Sequence, residues 1–362
     1  MPNAEKRFLV IKLADVGDVL TATPALRAIH ETHPMAKVDV LTSTSGAAIL
    51  AGNQSVDEAI VADRHLADSP RSLARPRGLI TLARTVSCLR RRHYEVAFLM
   101  HHLSTPVGAL KWRALSAAVR ADLLIGLDNG RGSFLHVRVH DRGFGVIHEV
   151  EYGLEVAAAA GAAAADHSLS LTIPDPARRE ADALVDGLSG PIVAVHPGSG
   201  GFSLARRWPT KRFAALADAL IERYQAAPVL VGSSSDGVAE VRALMRRPAL
   251  DLSGRTSLMA LAAVVERCAL FVGNDSGVMH VAAATTVPLL AIFGPSNARA
   301  WGPWRPESAV PTVTLVGDCP RGAPCLYTGH SVGLRDGCPE RHCLTAITVE
   351  QVMDAIASMH VL

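Results

Sequence analysis

The chain has 362 residues, 49% hydrophobic and 19% charged, which is long enough for two cored domains and excludes wholesale disorder. Its 36 basic and 34 acidic residues leave a formal charge of +2, which gives no reason to expect a nucleic-acid partner. No stretch is long and apolar enough to span a bilayer, and Val156–Ala165, about ten residues of mostly Ala and Gly, is the best candidate. The polar N-terminus, Met1–Arg7, leads into a short apolar run rather than a signal peptide, so the chain reads as cytoplasmic.

Two periodicities alternate along the chain. Phe8–Leu13 (FLVIKL) reads as a strand, closed by Ala-Asp-Val-Gly-Asp and followed by a helical pattern to Thr32. Lys37–Thr42 and Tyr94–Met100 are further strands, with a helix over Gly78–His93 between them. Leu123–Gly126 is short and apolar, and His148–Ala160 is helical. Short apolar strands separated by helices argue for βαβ units and a parallel sheet. Pro174-Asp175-Pro176 should break any regular element and marks a linker. A second series then follows. Strands are expected at Pro191–His196, Pro228–Gly232, Leu270–Gly273 and Pro288–Phe293. Helices are expected at Arg212–Gln225, Ser257–Cys268 and Ser276–Ala284. Thr348–Met359 is an amphipathic helix that Thr348 can cap. The expected organisation is an N-terminal domain over residues 1–173 and a C-terminal domain over 177–347. The last helix, 348–362, would pack back on the N-terminal domain. Two consecutive α/β layers imply two Rossmann-like domains facing one cleft, with ligands beyond the carboxyl ends of the strands.

Several motifs are absent: G-x-x-x-x-G-K-[ST], G-x-G-x-x-G after a strand, the G-x-S-x-G elbow and any Asp-x-Asp pair. Three Gly-containing loops at strand ends remain. In Ala14-Asp15-Val16-Gly17-Asp18-Val19, Asp18 is either a helix cap or a carboxylate able to act as general base. In His196-Pro197-Gly198-Ser199-Gly200-Gly201, followed by Arg206-Arg207, glycines let backbone N–H groups approach an anion and arginines add phosphate contacts. The alternative is a flexible turn with solvated arginines. Gly273-Asn274-Asp275-Ser276-Gly277-Val278-Met279-His280 places a helix start where a diphosphate could sit. Capping by Asp275 or Ser276, with His280 in the core, is its bland alternative.

These loops, in this order and spacing, resemble the heptosyltransferases of glycosyltransferase family 9. Phe8–Pro24, Ile192–Phe213 and Phe271–Trp304 carry the resemblance, and 52–165 carries little of it. It implies a GT-B fold and an inverting glycosyltransferase without a catalytic metal. The transfer would move a heptose from an ADP-sugar to an acceptor hydroxyl in lipopolysaccharide core or other cell-surface glycan synthesis. Asp18 matches the base. His196, Gly198, Ser199, Gly200, Arg206, Asp236, Asp275, Ser276, Gly277 and His280 match donor-binding positions, with Arg206 where the family often has lysine. A glycan, glycolipid or protein acceptor is implied, with peripheral contact at the inner face of the inner membrane. Arg90-Arg91-Arg92-His93 and Lys111-Trp112-Arg113 are candidate acceptor contacts, with solvated helix-end charges the alternative. A heptosyltransferase acting on a protein or small-molecule acceptor, a nucleotide-sugar hydrolase or epimerase, and a non-catalytic nucleotide-sugar binder are the rival functions.

Four of six cysteines fall together as Cys319, Cys325, Cys338 and Cys343. Four thiolates can hold zinc or iron tetrahedrally, and some relatives that glycosylate proteins carry an iron-binding finger of this kind. A structural zinc or iron is therefore an expectation, against free thiols or bridges formed on oxidation.

Overall fold

In β1 (Arg7–Lys12) five of six residues are buried, and β2 (Lys37–Thr42) repeats the pattern. Strands apolar on both faces suit a parallel sheet covered by helices on each side. The structure, a computed structural model, describes residues 6–62, 76–306 and 309–362. Met1–Glu5, part of the polar N-terminus read above, lies outside them. The chain divides between Thr172 and Ile173 into two units, with Gly329–Ser331 grouped with the first.

The first unit continues with β3 (Glu58–Val61), β4 (Val96–Leu99), β5 (Leu123–Asp128) and β6 (Val137–His140). Its helices are α1 (Val16–Thr21), α2 (Thr23–Thr32), α3 (Thr44–Leu50), α4 (Pro76–Arg92), α5 (Pro106–Val119) and α6 (Glu149–Ala158). The sheet runs β3-β2-β1-β4-β5-β6, parallel throughout. Leu9, Ile11, Leu41, Leu89, Tyr94 and Leu99 belong to its core. The helical pattern expected to run unbroken to Thr32 is interrupted at Ala22, and α2 restarts with Pro24 in its first turn. There the ring costs no hydrogen bond.

The second unit opens on a helix, α7 (Asp175–Val185), at the point where a linker was expected. Pro174 is its N-cap residue and Pro176 sits in its first turn. The closely spaced prolines start an element rather than break one, because the first helical N–H groups need no partner within the helix. Then follow β7 (Ile192–His196), α8 (Thr210–Tyr224), β8 (Ala227–Leu230), α9 (Val238–Leu244) and β9 (Leu250–Asp251). Next come α10 (Leu258–Glu266), β10 (Leu270–Asn274), α11 (Gly277–Ala283), β11 (Leu289–Phe293), α12 (Ala298–Trp301) and β12 (Thr312–Val316). The chain ends with a small hairpin, β13 (Leu326–Thr328) and β14 (Ser331–Gly333), then α13 (His342–Thr345) and α14 (Val349–Met359). The sheet order is β12-β11-β10-β7-β8-β9, again parallel.

Thr348 caps α14 through a reciprocal pair with Gln351. The apolar stripe of this helix, expected to pack back on the N-terminal domain, is taken up within its own unit. Val352, Met353, Ile356 and Met359 join the core of the second, beside Trp208, Phe213 and Leu220. An apolar stripe on α14 fits α8, and the two helices pack together.

Both units have one strand order. Counting each from its first strand, the sequence is 3-2-1-4-5-6, so the winding reverses between β1 and β4 and between β7 and β10. Ligands of doubly wound sheets bind beyond the carboxyl ends of the strands at these reversals. The loops after β1, β7 and β10 occupy those places.

Candidate active site

In the first unit, β1 leads through residues 13–15 into α1. The N-cap residue is Asp15, whose side chain makes no capping hydrogen bond. Asp18 is half-buried in the first turn, where the helix dipole favours a negative charge. Its backbone carbonyl accepts a bond of 2.8 Å from the Thr21 hydroxyl. Asp18 is therefore not the cap.

Across the same reversal, the loop after β4 carries a cluster that the sequence reading missed. His102 lies 3.0 Å from Asp141 Oδ1 by Nδ1 and 3.1 Å from Glu149 Oε1 by Nε2. Burial disfavours the imidazolium, but the two carboxylates outweigh it and push its pKa up to about 9. Asp141 also accepts the Gly143 N–H at 2.8 Å and the Asn129 amide at 3.1 Å. Burial would raise the Asp141 carboxyl, and His102 more than offsets this. A histidine charged throughout the physiological range is a fixed cation rather than a base. The only local signal was the His101-His102 doublet at a strand end.

In the second unit, two loops are sewn together by Asn274. Its amide donates to Pro197 O at 2.7 Å, and its Oδ1 accepts the Trp208 N–H at 3.0 Å. Arg206 is thereby held against Asp275 at 3.1 Å and against the Ser199 carbonyl at 2.6 Å. Arg207, passed over in favour of Arg206, reaches the Ser199 hydroxyl and Asp236 Oδ1, each at 3.3 Å. Asp236 accepts the Ser233 N–H and hydroxyl, both at 2.7 Å. Burial would raise its carboxyl, but His196 and Ser233 hold it well below the usual carboxylate range.

Gly198 is required at its position: a Cβ there would lie 2.2 Å from Asp236 Cγ. Gly200 has φ +69° and open space around it, a conformation glycine adopts without strain. His196 is buried, with Nδ1 3.2 Å from the Ser276 hydroxyl and Nε2 3.7 Å from Asp236. Ser276 also caps α11 by accepting the Met279 N–H, with Gly277 next in the chain. His280 is buried edge-on to Trp301, as in the core alternative. The structure thus brings His196, Gly198, Ser199, Arg206, Asp236, Asp275 and Ser276 into one cradle, adding Arg207 and Asn274. Chemically, it offers two guanidinium groups on a glycine-rich backbone, suited to a diphosphate.

The acceptor candidates separate. Arg92 pairs with Asp39 at 2.9 Å and with Glu58, and Arg90 donates to the Ala118 carbonyl. Arg7, the first residue of β1, also pairs with Asp39. This is the amino edge of the sheet, opposite Asp18, so Arg90 and Arg92 have structural partners there. Trp112, in α5, instead stacks on His101 at 4.2 Å.

Among the described residues, no group of three or more His, Cys, Asp or Glu is placed to hold a metal ion. The expected zinc or iron set of Cys319, Cys325, Cys338 and Cys343 is thus not assembled for one, although the thiols lie near one another. Burial first, then the neighbouring cysteines, push the Cys325 and Cys343 thiols up. The loop is tied by other means. Cys325 and Leu326 N–H groups both donate to Pro295 O at 2.9 Å, the Ser203 hydroxyl donates to Arg335 O at 2.6 Å, and Leu326 is fully buried.

The profile of glycosyltransferase family 9 (heptosyltransferase) matches residues 83–318, about two-thirds of the chain. The chain belongs to glycosyltransferase family 9. It is 26% identical over 300 residues to lipopolysaccharide heptosyltransferase 3 of Escherichia coli K12, covering 80% of this chain and 82% of that protein. Among solved structures, a family 9 glycosyltransferase from Veillonella parvula superposes with a TM-score of 0.76 at 23% identity, over 99% of this chain and 98% of the other. The E. coli ADP-heptose heptosyltransferase II superposes with a TM-score of 0.71 at 23% identity, over 98% of both chains. The α/β fold of two parallel-sheet units is that of these GT-B heptosyltransferases. As a family 9 member the protein is a glycosyltransferase. Among the described residues no helix is long and apolar enough to cross a membrane.

Proposed function

We propose that this family 9 member transfers a heptose from ADP-heptose to a hydroxyl of the lipopolysaccharide core, with inversion at the anomeric carbon. The observation that carries the reading is the cradle at the β7/β10 reversal. There, Arg206 and Arg207 both bond Ser199 of the Gly198–Gly200 turn while pairing with Asp275 and Asp236, and Ser276 lies against His196. The similar E. coli protein named for ADP-heptose, and the relative named for lipopolysaccharide, support the donor and the acceptor.

In this mechanism Asp18 takes the proton from the acceptor hydroxyl as its oxygen attacks the anomeric carbon. General base catalysis of this kind contributes about 10²–10⁴ in rate. The bond between that carbon and the diphosphate breaks, and ADP leaves with the electron pair. Attack from the face opposite the leaving group inverts the configuration. Arg206 and Arg207, aided by the N–H groups of Ser276 and Gly277, neutralise the charge that develops on the diphosphate. Asp236 and His196 shape the nucleoside side of the cradle. No metal enters these steps. The lipid-linked acceptor places the work at the cytoplasmic face of the inner membrane, by peripheral contact.

Mass spectrometry of a mixture with ADP-heptose and truncated core acceptors tests the reading. The expected result is one heptose added to the acceptor with one ADP released. ADP released at the same rate without any acceptor, and no acceptor product, would mean a hydrolase.

A further inference from the structure

The β1–β4 ladder ends where the Met100 N–H donates to Ile11 O at 3.2 Å. Past that point side chains take over from backbone. Lys12 Nζ donates to Met100 O at 3.1 Å, and the Leu13 N–H donates to His101 Nε2 at 3.0 Å. One residue further, Ala14 O accepts the Ser43 hydroxyl at 2.6 Å. The segment from β1 to Asp18 is thus tied in two directions. The Leu13 N–H is held from the end of β4, and the Ala14 carbonyl from the end of β2.

His101 is itself constrained. Its ring lies against Trp112, 4.2 Å between centroids and 21° from parallel. A backbone N–H can only donate, so the Nε2 facing Leu13 carries no proton and the ring is neutral. Burial, then the positive charges of Lys12 and His102, hold its pKa well below the ordinary histidine value. The next residue, His102, is clamped by Asp141 and Glu149. Two adjacent histidines thus do different work: one is an immobile cation, the other a neutral acceptor bound to the loop that carries Asp18.

We propose that His101 is a positioning residue for Asp18, fixing through the Leu13 N–H where the β1–α1 loop leaves the sheet and hence where the carboxylate lies. The proposal rests on Asp18 being the base. A catalytic group depends on residues that lock its approach, and a displacement of about 1 Å can cost about 10²-fold in rate.

Kinetics with ADP-heptose and a core acceptor on His101→Leu, His101→Gln, Asp18→Asn and the His101→Leu/Asp18→Asn double variant test it. Leucine at 101 should lower kcat about 10- to 100-fold while the donor KM stays within about twofold, because the donor cradle belongs to the other unit. Glutamine, whose Oε1 can accept where Nε2 did, should return kcat to within about threefold of wild type. In the Asp18→Asn background the leucine should cost less than about twofold more, since displacing a lost base changes little. A His101→Leu kcat near wild type, or the same loss with and without Asp18, overturns the proposal. Wild-type turnover by Asp18→Asn overturns the base itself, whatever His101 does. Should the leucine variant fail to fold by circular dichroism, His101→Asn replaces it. Its shorter side chain should turn over at least about fivefold more slowly than the glutamine variant, and equal rates overturn the proposal.

Discussion

At the β7/β10 reversal charged side chains face one another, Arg206 with Asp275 and Arg207 with Asp236. At the β1/β4 reversal His102 also pairs with Asp141 and Glu149, but the segment leading to Asp18 is held by side chains on backbone: Lys12 on Met100 O, His101 on the Leu13 N–H, Ser43 on Ala14 O. The strand order is the same in both units, so on the proposed function the difference follows from what each loop does. A cradle for a diphosphate concentrates positive charge, and half-buried cations are costly without counter-charges. Asp275 and Asp236 supply them. On the proposed function, a loop that presents a base needs a defined position, which the neutral His101 and Ser43 side chains provide by holding its backbone.

Breaking the loop side of this comparison should have the largest effect. Asp18→Asn is expected to lower turnover at least about 10²-fold while leaving ADP affinity by calorimetry within about twofold. Loss of ADP binding together with turnover would put Asp18 in the donor site instead.

The His102 clamp comes next. Removing one partner of a buried ion cluster costs about 3–5 kcal/mol, so His102→Gln should destabilise the protein by about that amount at pH 7 in urea unfolding. The pH dependence has a definite sign. The folded pKa, about 9, lies above the ordinary value of 6.5. The stabilisation is therefore fully present below about pH 6.5 and is lost as pH rises through about 9. Wild-type stability should decline across that window, and the decline should be shallower in the glutamine variant. Parallel slopes would show that His102 does not carry the charge.

On the cradle side, Arg206→Ala removes charge-assisted bonds worth about 1.5–3 kcal/mol, so ADP should bind about 10- to 100-fold more weakly. Gly198→Ala should weaken ADP as well, because its Cβ would lie 2.2 Å from Asp236 Cγ. Unchanged affinity in both would remove the nucleotide from this loop. The smallest effect is expected away from both reversals. Thr348→Ala breaks the capping pair with Gln351 and should cost about 1 kcal/mol of stability with turnover unchanged.

Much of this was legible along the chain. Continuous apolar runs such as FLVIKL and PLLAIF mark strands buried on both faces, and glycine-rich segments at their ends mark the ligand loops. Asp18, Arg206, Asp275 and Ser276 stand out as candidates from local pattern and family resemblance, and the structure places the last three in one cradle. Arg207 and Asn274 stood inside the same loops, but their roles depend on partners 29 and 77 residues away.

What the sequence determined by itself is therefore local: where strands and helices form, which loops carry glycine and charge, and that two α/β layers follow one another. Hydrophobic periodicity and backbone freedom are short-range properties, and these features need nothing else. Tertiary structure alone decided the partners. It turned Pro174 and Pro176 into a helix start and buried the last helix in the core of the second unit. It gave His101 and His102 different charge states, one neutral and one positive. A proton's place on an imidazole depends on what lies within a few ångströms, and for these two histidines that is Leu13, Lys12, Asp141 and Glu149, none of them within a helical turn in sequence.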